Sequence, residues 1–180
     1  MASRLSLSEE CRLALNNLAS FELNVSDAYL SLALRYTDDA QIPPYIPFFE
    51  DQVEVKKEHA RQFVRFLKSY RAKVSLPVIK RPDKQIWETG LEAVQTALDL
   101  EKQLDFLLQD LDTVAGRSGD TPVKDFLRVF FLKQKKNLSY LEHQVSYQKE
   151  LKESGREEAE EQLPPCTLSK KPARRSRKKT

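Results

Sequence analysis

The stretch "AKVSLPVIKRPDKQI", residues 72–86, decides the fold. It carries two prolines and breaks an otherwise helical pattern, so it reads as a connection and not as an element. Before it, a stripe at Phe49, Gln52, Lys56, His59, Phe63, Phe66 and Tyr70 predicts a helix from about Pro43–Pro44 to about Arg71, with the prolines suited to a first turn. After it, Trp87, Leu91, Val94, Leu98, Glu101, Leu104, Leu108 and Leu111 predict another helix that ends at "AGRSG". Fifteen residues are enough to run the length of a bundle, which would make these two helices parallel.

Working outward, an earlier helix is expected from about Ser8 to about Tyr36. Its stripe is Cys11, Leu15, Leu18, Glu22, Val25, Tyr29, Leu32 and Tyr36, in steps of three and four. A last helix starts at Thr121–Pro122 and turns Leu127, Phe131, Gln134, Leu138, Leu141 and Val145 inward. The connections "TDDAQIP" and "GRSGD" are short, so each joins antiparallel neighbours. The expected fold is all-α: a four-helix bundle with one long crossover between the second and third helices.

Composition agrees. The chain has 180 residues, only four glycines and 32% charged residues, which suits one helical domain with a sizeable core. Its two cysteines, Cys11 and Cys166, form no disulfide framework and point to a reducing compartment. The opening "MASRLSLSEECRLAL" lacks an apolar leader, and no run of about 18 apolar residues occurs. A soluble intracellular protein with no membrane partner is expected.

The stripes contain polar residues where a bundle normally buries Leu or Val: Glu22, Lys56, His59, Glu101 and Gln134, with at least one on each helix. Tyr29 lies two turns after Glu22 on the same face. Buried ionisable groups cost several kcal/mol unless they are paired or bound to metal, so these side chains should cluster. Di-iron bundles place a Glu on each of two helices and Glu-x-x-His on the other two. Here the second helix has Lys56-x-x-His59, and the fourth offers Gln134 with no seam histidine. Two carboxylates and an ammonium leave a formal −1, where three carboxylates would present −3 to hard cations. The expectation is a site filled by its own lysine.

"KRPDKQIWETGLEAVQTALDLEK", residues 80–102, with "FELNVSDAYLSLA" and "KKEHARQF", resembles animal ferritin subunits over residues 10–153. The resemblance implies a ferritin-like bundle and makes Glu22, Tyr29, His59 and Glu101 the counterparts of ferroxidase-centre residues. Lys56 stands where the heavy-type subunit has its bridging Glu, as in the catalytically silent light type. A gap-free match puts Lys135 at the family's Gln position; a one-residue shift puts Gln134 there, and only Gln134 lies in the stripe. By the same resemblance, iron is the cargo, bound weakly at Glu22, His59 and Glu101, no organic cofactor is needed, and other ferritin subunits are partners in an oligomeric shell.

The family nucleates mineral on acids along the second helix. Asp51, Glu54 and Glu58 share a face here, but Lys57 and Arg61 lie among them, and the family's acidic cluster is thinned to Val55, Glu58 and Arg61. At the family's three-fold channel, "KDFLR" keeps Asp125 and has Arg128 in place of a second acid, which would hinder passage of iron(II). The family's fifth helix is degenerate: "ESG" is followed by "REEAEEQLPP", with no apolar stripe and a double proline. The bundle is therefore assigned to residues 1–155. Residues 156–180 comprise the degenerate segment and a disordered basic tail.

That tail carries Lys170, Lys171, Arg174, Arg175, Arg177, Lys178 and Lys179 and no acid. With +7 there and +3 in total, residues 1–165 carry −4. Such a run reads as a nuclear import signal or a nucleic-acid contact without base stacking. Three functions follow: a storage subunit without ferroxidase activity, a nuclear interaction protein that keeps the bundle, and a residual ferroxidase using Glu22, His59, Glu101 and Gln134. The first is preferred, with the cytoplasm as its compartment and the nucleus as the address the tail would add.

Overall fold

The computed structural model describes residues 6–34, 43–80, 87 and 89–155. Four helices form, α1 (Glu9–Ala33), α2 (Tyr45–Ser69), α3 (Gly90–Ser118) and α4 (Thr121–Glu153), and no strand occurs among the described residues. Each boundary has a local cause. The Ser8 hydroxyl accepts the Cys11 N–H at the start of α1, and Glu9 and Glu10 complement the positive end of the helix. Thr89 accepts the Glu92 N–H, which starts α3 three residues beyond Trp87, where the stripe alone would begin it. Gly119, at φ 70°, ends α3 in the left-handed conformation that glycine adopts without strain. Tyr36, expected at the end of α1, lies outside the described residues.

The crossover leaves α2 and runs along α1. Asn16 donates to the Lys73 carbonyl at 3.1 Å and accepts the Ser75 N–H at 2.7 Å, and the Ser20 hydroxyl reaches the Pro77 carbonyl. Its direction is that of α1, so it returns towards the start of α2. There Gly90, in the first turn of α3, sits under the Tyr45 hydroxyl, so α2 and α3 begin at the same end and are parallel. Phe66 stacks on Phe126 (4.3 Å) at one end and Phe48 meets Tyr140 (4.4 Å) at the other, which makes α2 and α4 antiparallel. The expected crossover topology is present.

The core divides into two apolar levels. Val25, Tyr29, Tyr45, Phe49, Val94, Leu98 and Leu141 fill one, and Leu15, Leu18, Phe63, Leu67, Leu104, Leu108 and Leu127 fill the other. Some inward assignments need correction. On α4, Phe130 is buried, while Phe131 and Leu138 are only half-buried. On α2, Leu67 takes the core position that the stripe gave to Phe66, and Tyr70 is half-buried. Both helices keep a period of 3.6, so a strict three–four step drifts off the buried face over several turns.

Candidate functional site

Between the two apolar levels, every helix contributes a polar side chain. Glu22 comes from α1, Lys56 and His59 from α2, Glu101 from α3 and Gln134 from α4, and all five are buried. Glu101 is the hub. Lys56 Nζ lies 3.0 Å from each of its carboxylate oxygens. The Tyr29 hydroxyl donates to Oε1 at 2.6 Å, and Gln134 Nε2 donates to Oε2 at 2.5 Å and to the Glu101 backbone carbonyl at 2.8 Å. Burial, the Glu101 charge and this hydrogen bond, and the Glu22 charge together hold the Tyr29 phenol well above its ordinary range, so it stays a neutral donor.

Two partners of this hub were not legible as site residues. Asn137 Nδ2 donates to Gln52 Oε1 at 2.9 Å and reaches Glu101 Oε1 at 3.4 Å. Asn137 follows Gln134 by three residues, the spacing that puts both on one face, and Gln52 precedes Lys56 by four. Those spacings were the available signal. Gln144 and Gln148, also buried, were missed as well.

Glu22 is not held by the lysine. Its Oε1 meets His59 Nδ1 at 3.3 Å, and His59 packs edge-on against Phe130 (5.0 Å between ring centroids). Glu22 Oε2 and His59 Nε2 have no hydrogen-bond partner among the described residues. Of the two carboxylates that the lysine could have met, it serves Glu101, where Tyr29, Gln134 and Lys56 converge from three helices. By their contacts, the three residues of the expected metal set divide: Glu101 lies with Lys56, and Glu22 lies with His59. No three His, Cys, Asp or Glu side chains converge as a metal-ligand group among the described residues. Glu101 spends both oxygens on other donors, which leaves only Glu22 and His59 with atoms to offer.

The alternative Lys135 is exposed, whereas Gln134 is buried against Glu101. Of Asp51, Glu54 and Glu58, two are already engaged. Glu54 pairs with Lys57 at 3.0 Å, and Glu58 pairs with Arg61 at 3.3 Å and Arg65 at 2.9 Å. Hydrogen bonding from Arg61, with Arg65 beside it, holds the Glu58 carboxyl below its usual range. Asp51 is exposed. Asp125 and Arg128 face each other at 3.2 Å on the first turns of α4, so they form one ion pair and not two separate charges. The basic residues Lys170 to Lys179 and the segment after Gly155 lie outside the described residues. No described helix is long and apolar enough to cross a membrane.

The chain is similar to known proteins over most of the bundle. Residues 12–150 match the ferritin-like domain family. The middle subunit of Salmo salar ferritin is 33% identical over 126 residues, covering 69% of this chain and 72% of that protein. Soma ferritin of Lymnaea stagnalis is 35% identical over 126 residues, with the same coverage of 69% and 72%. The oocyte isoform of the Xenopus laevis ferritin light chain is 32% identical over 131 residues, covering 72% and 74%.

Proposed function

The chain belongs to the ferritin family, and from that premise we propose that it is an iron-storage subunit that joins a ferritin shell without oxidising iron(II) itself. The observation that carries this reading is the Lys56–Glu101 pair, with Nζ 3.0 Å from both oxygens and neither side chain exposed. Oxidation of iron(II) at a bundle centre needs carboxylates free to bind cations. Here one carboxylate already holds a fixed cation, and a second cation brought beside Lys56 would meet its charge at low dielectric. Glu22 and His59 keep one donor atom each, too few to hold iron by themselves. Tyr29, Gln134 and Asn137 complete the hydrogen bonding of Glu101 and leave it no need of metal.

Storage would then depend on neighbouring subunits that supply oxidised iron, with this chain contributing wall. The pairing of Glu54 and Glu58 with Lys57, Arg61 and Arg65 supports a weak nucleating face at most. The test is the rate of iron(II) oxidation, followed by absorbance, with the purified full chain in air. The reading requires no rate above buffer; a fast phase abolished by Glu22→Ala would instead establish the residual ferroxidase.

A second reading, a nuclear interaction protein, is favoured by the seven cations between Lys170 and Lys179 and by the degenerate sequence after Gly155. Sedimentation of the full chain separates the two. A hollow-shell mass favours the storage subunit. A monomer or dimer that fails to enter shells with other ferritin subunits favours the nuclear reading.

A further inference from the structure

A groove of about 490 Å³ opens between α1 and α3, lined by Asn17, Phe21, Lys102, Gln103, Phe106 and Leu107. Phe106 is 69% exposed, and Leu13, one turn before Asn17 on the same face of α1, is 55% exposed. Single exposed apolar residues need no partner, but an exposed aromatic ring beside an apolar groove is what a docking surface offers. The acids along α3 here have no cation of their own. Asp99 accepts an amide N–H from Gln95 at 3.0 Å, and Asp105 accepts one from Gln109 at 2.6 Å. Asp110, exposed one turn beyond Phe106, makes no hydrogen bond or ion pair among the described residues. Against these three acids stands Lys102, so the strip from Asp99 to Asp110, leaving out the buried Glu101, carries a net −2.

An apolar groove edged by unpaired acids fits a segment in which an apolar residue is followed by cations. The chain carries one outside the described residues: Leu168, followed by Lys170, Lys171, Arg174 and Arg175. Its reach is sufficient. Gln148 packs beside Gly90, so α4 ends where α3 begins. Phe106 lies about 24 Å along α3 from Gly90, and Gly155 lies about 10 Å beyond Gln148 along α4. The thirteen residues from Gly155 to Leu168 span up to about 43 Å, whereas the eight to Leu163 span only about 26 Å. The order matches too: Lys170 and Lys171 follow Leu168 as Asp110 follows Phe106 along α3. We propose that this groove receives the chain's own C-terminal segment, with Leu168 on Phe21 and Phe106 and with Lys170 and Lys171 beside Asp105 and Asp110. The site uses no residue of the buried centre, so it stands or falls independently of the storage reading. A docked segment covers cations that the nuclear reading needs in the open.

The experiment is zero-length carbodiimide cross-linking of the full chain at low ionic strength, on a mixture of isotope-labelled and unlabelled copies, read by peptide mass spectrometry. The expected product joins Lys170 or Lys171 to Asp105 or Asp110 within one copy. It should exceed links to Asp51 roughly tenfold, although Asp51 is exposed and lies near the start of α2, closer to the end of α4. Leu168→Ser and Phe106→Ser should each lower its yield roughly tenfold, and added salt should lower it as well. Phe106 is exposed, so its replacement leaves the core intact. Equal linkage to Asp51 and Asp110, or a yield that neither variant changes, would mean random charge encounters and overturn the proposal. Links found only between labelled and unlabelled copies would overturn it too, because the groove would then hold another copy's tail. So would a dimer that Phe106→Ser dissociates and that gives no tail link, since a second copy would then cover the groove.

Discussion

Lys56 and Glu101 meet at 3.0 Å in the middle of the bundle, from parallel helices joined by the long crossover, and water reaches neither. Burying two charges costs several kcal/mol each, which their attraction offsets only when further hydrogen bonds complete the pair. Tyr29, Gln134 and Asn137 supply those bonds to Glu101. The pair is thus one part of a hub that ties all four helices to one carboxylate.

Removing one partner should expose the cost. Lys56→Ala leaves Glu101 charged and buried, and the expected loss is about 3–5 kcal/mol in chemical denaturation. Replacing both partners by apolar residues, as Lys56→Met with Glu101→Leu, should recover most of that loss. If Lys56→Ala costs no more than a surface substitution, the pair is not the anchor described here.

Much of this was legible before any coordinates. The three–four stripes located the four helices, and the length of residues 72–86 set the parallel relation of α2 and α3. Polar residues inside apolar stripes singled out the five seam residues. What the spacing left open was which group each seam residue would meet: Lys56 could have served Glu22 as well as Glu101, and only the convergence of Tyr29 and Gln134 on Glu101 decides it. Asn137 was passed over because it lies one position off the stripe, half-buried. Phe130 and Leu67 displaced Phe131 and Phe66 because a straight helix drifts from a strict heptad step.

Tyr29→Phe removes a donor from a buried carboxylate and should cost about 1–3 kcal/mol while leaving the fold intact. The raised phenol also sets a pH dependence. Below pH 10 Tyr29 is neutral in both folded and unfolded chains; above it the unfolded phenol loses its proton and the folded one keeps it. Stability should therefore fall as pH rises beyond 10, and less steeply in Tyr29→Phe. Equal slopes in parent and variant would count against the buried hydrogen bond.

Cys11 is fully buried in the apolar level that holds Leu15 and Leu108, and burial pushes its thiol up to about 11. A thiol that stays protonated and covered is a poor nucleophile. Alkylation mapped by mass spectrometry should modify Cys11 only after the chain is unfolded. Rapid labelling of the native protein would mean that the start of α1 opens.

Gly90 has no room for a side chain: an added Cβ would collide with the Tyr45 hydroxyl and crowd Gln148. Gly90→Ala should lower stability by about 1–3 kcal/mol, although alanine is the better helix former. A gain in stability would show that Tyr45 moves aside freely.

Deleting residues 168–180 tests the basic tail. If those cations are an import signal, the full chain accumulates in the nucleus and the truncated chain does not. An unchanged distribution would leave the tail without an address role.

The most direct test of the central claim is anaerobic calorimetry of iron(II) binding to the metal-free protein and to Lys56→Glu. With the ammonium gone and a third carboxylate in its place, the variant should bind iron(II) at least tenfold more tightly at the bundle centre and be less stable without metal. Iron(II) affinity equal in the two proteins would contradict the claim that Lys56 fills the site.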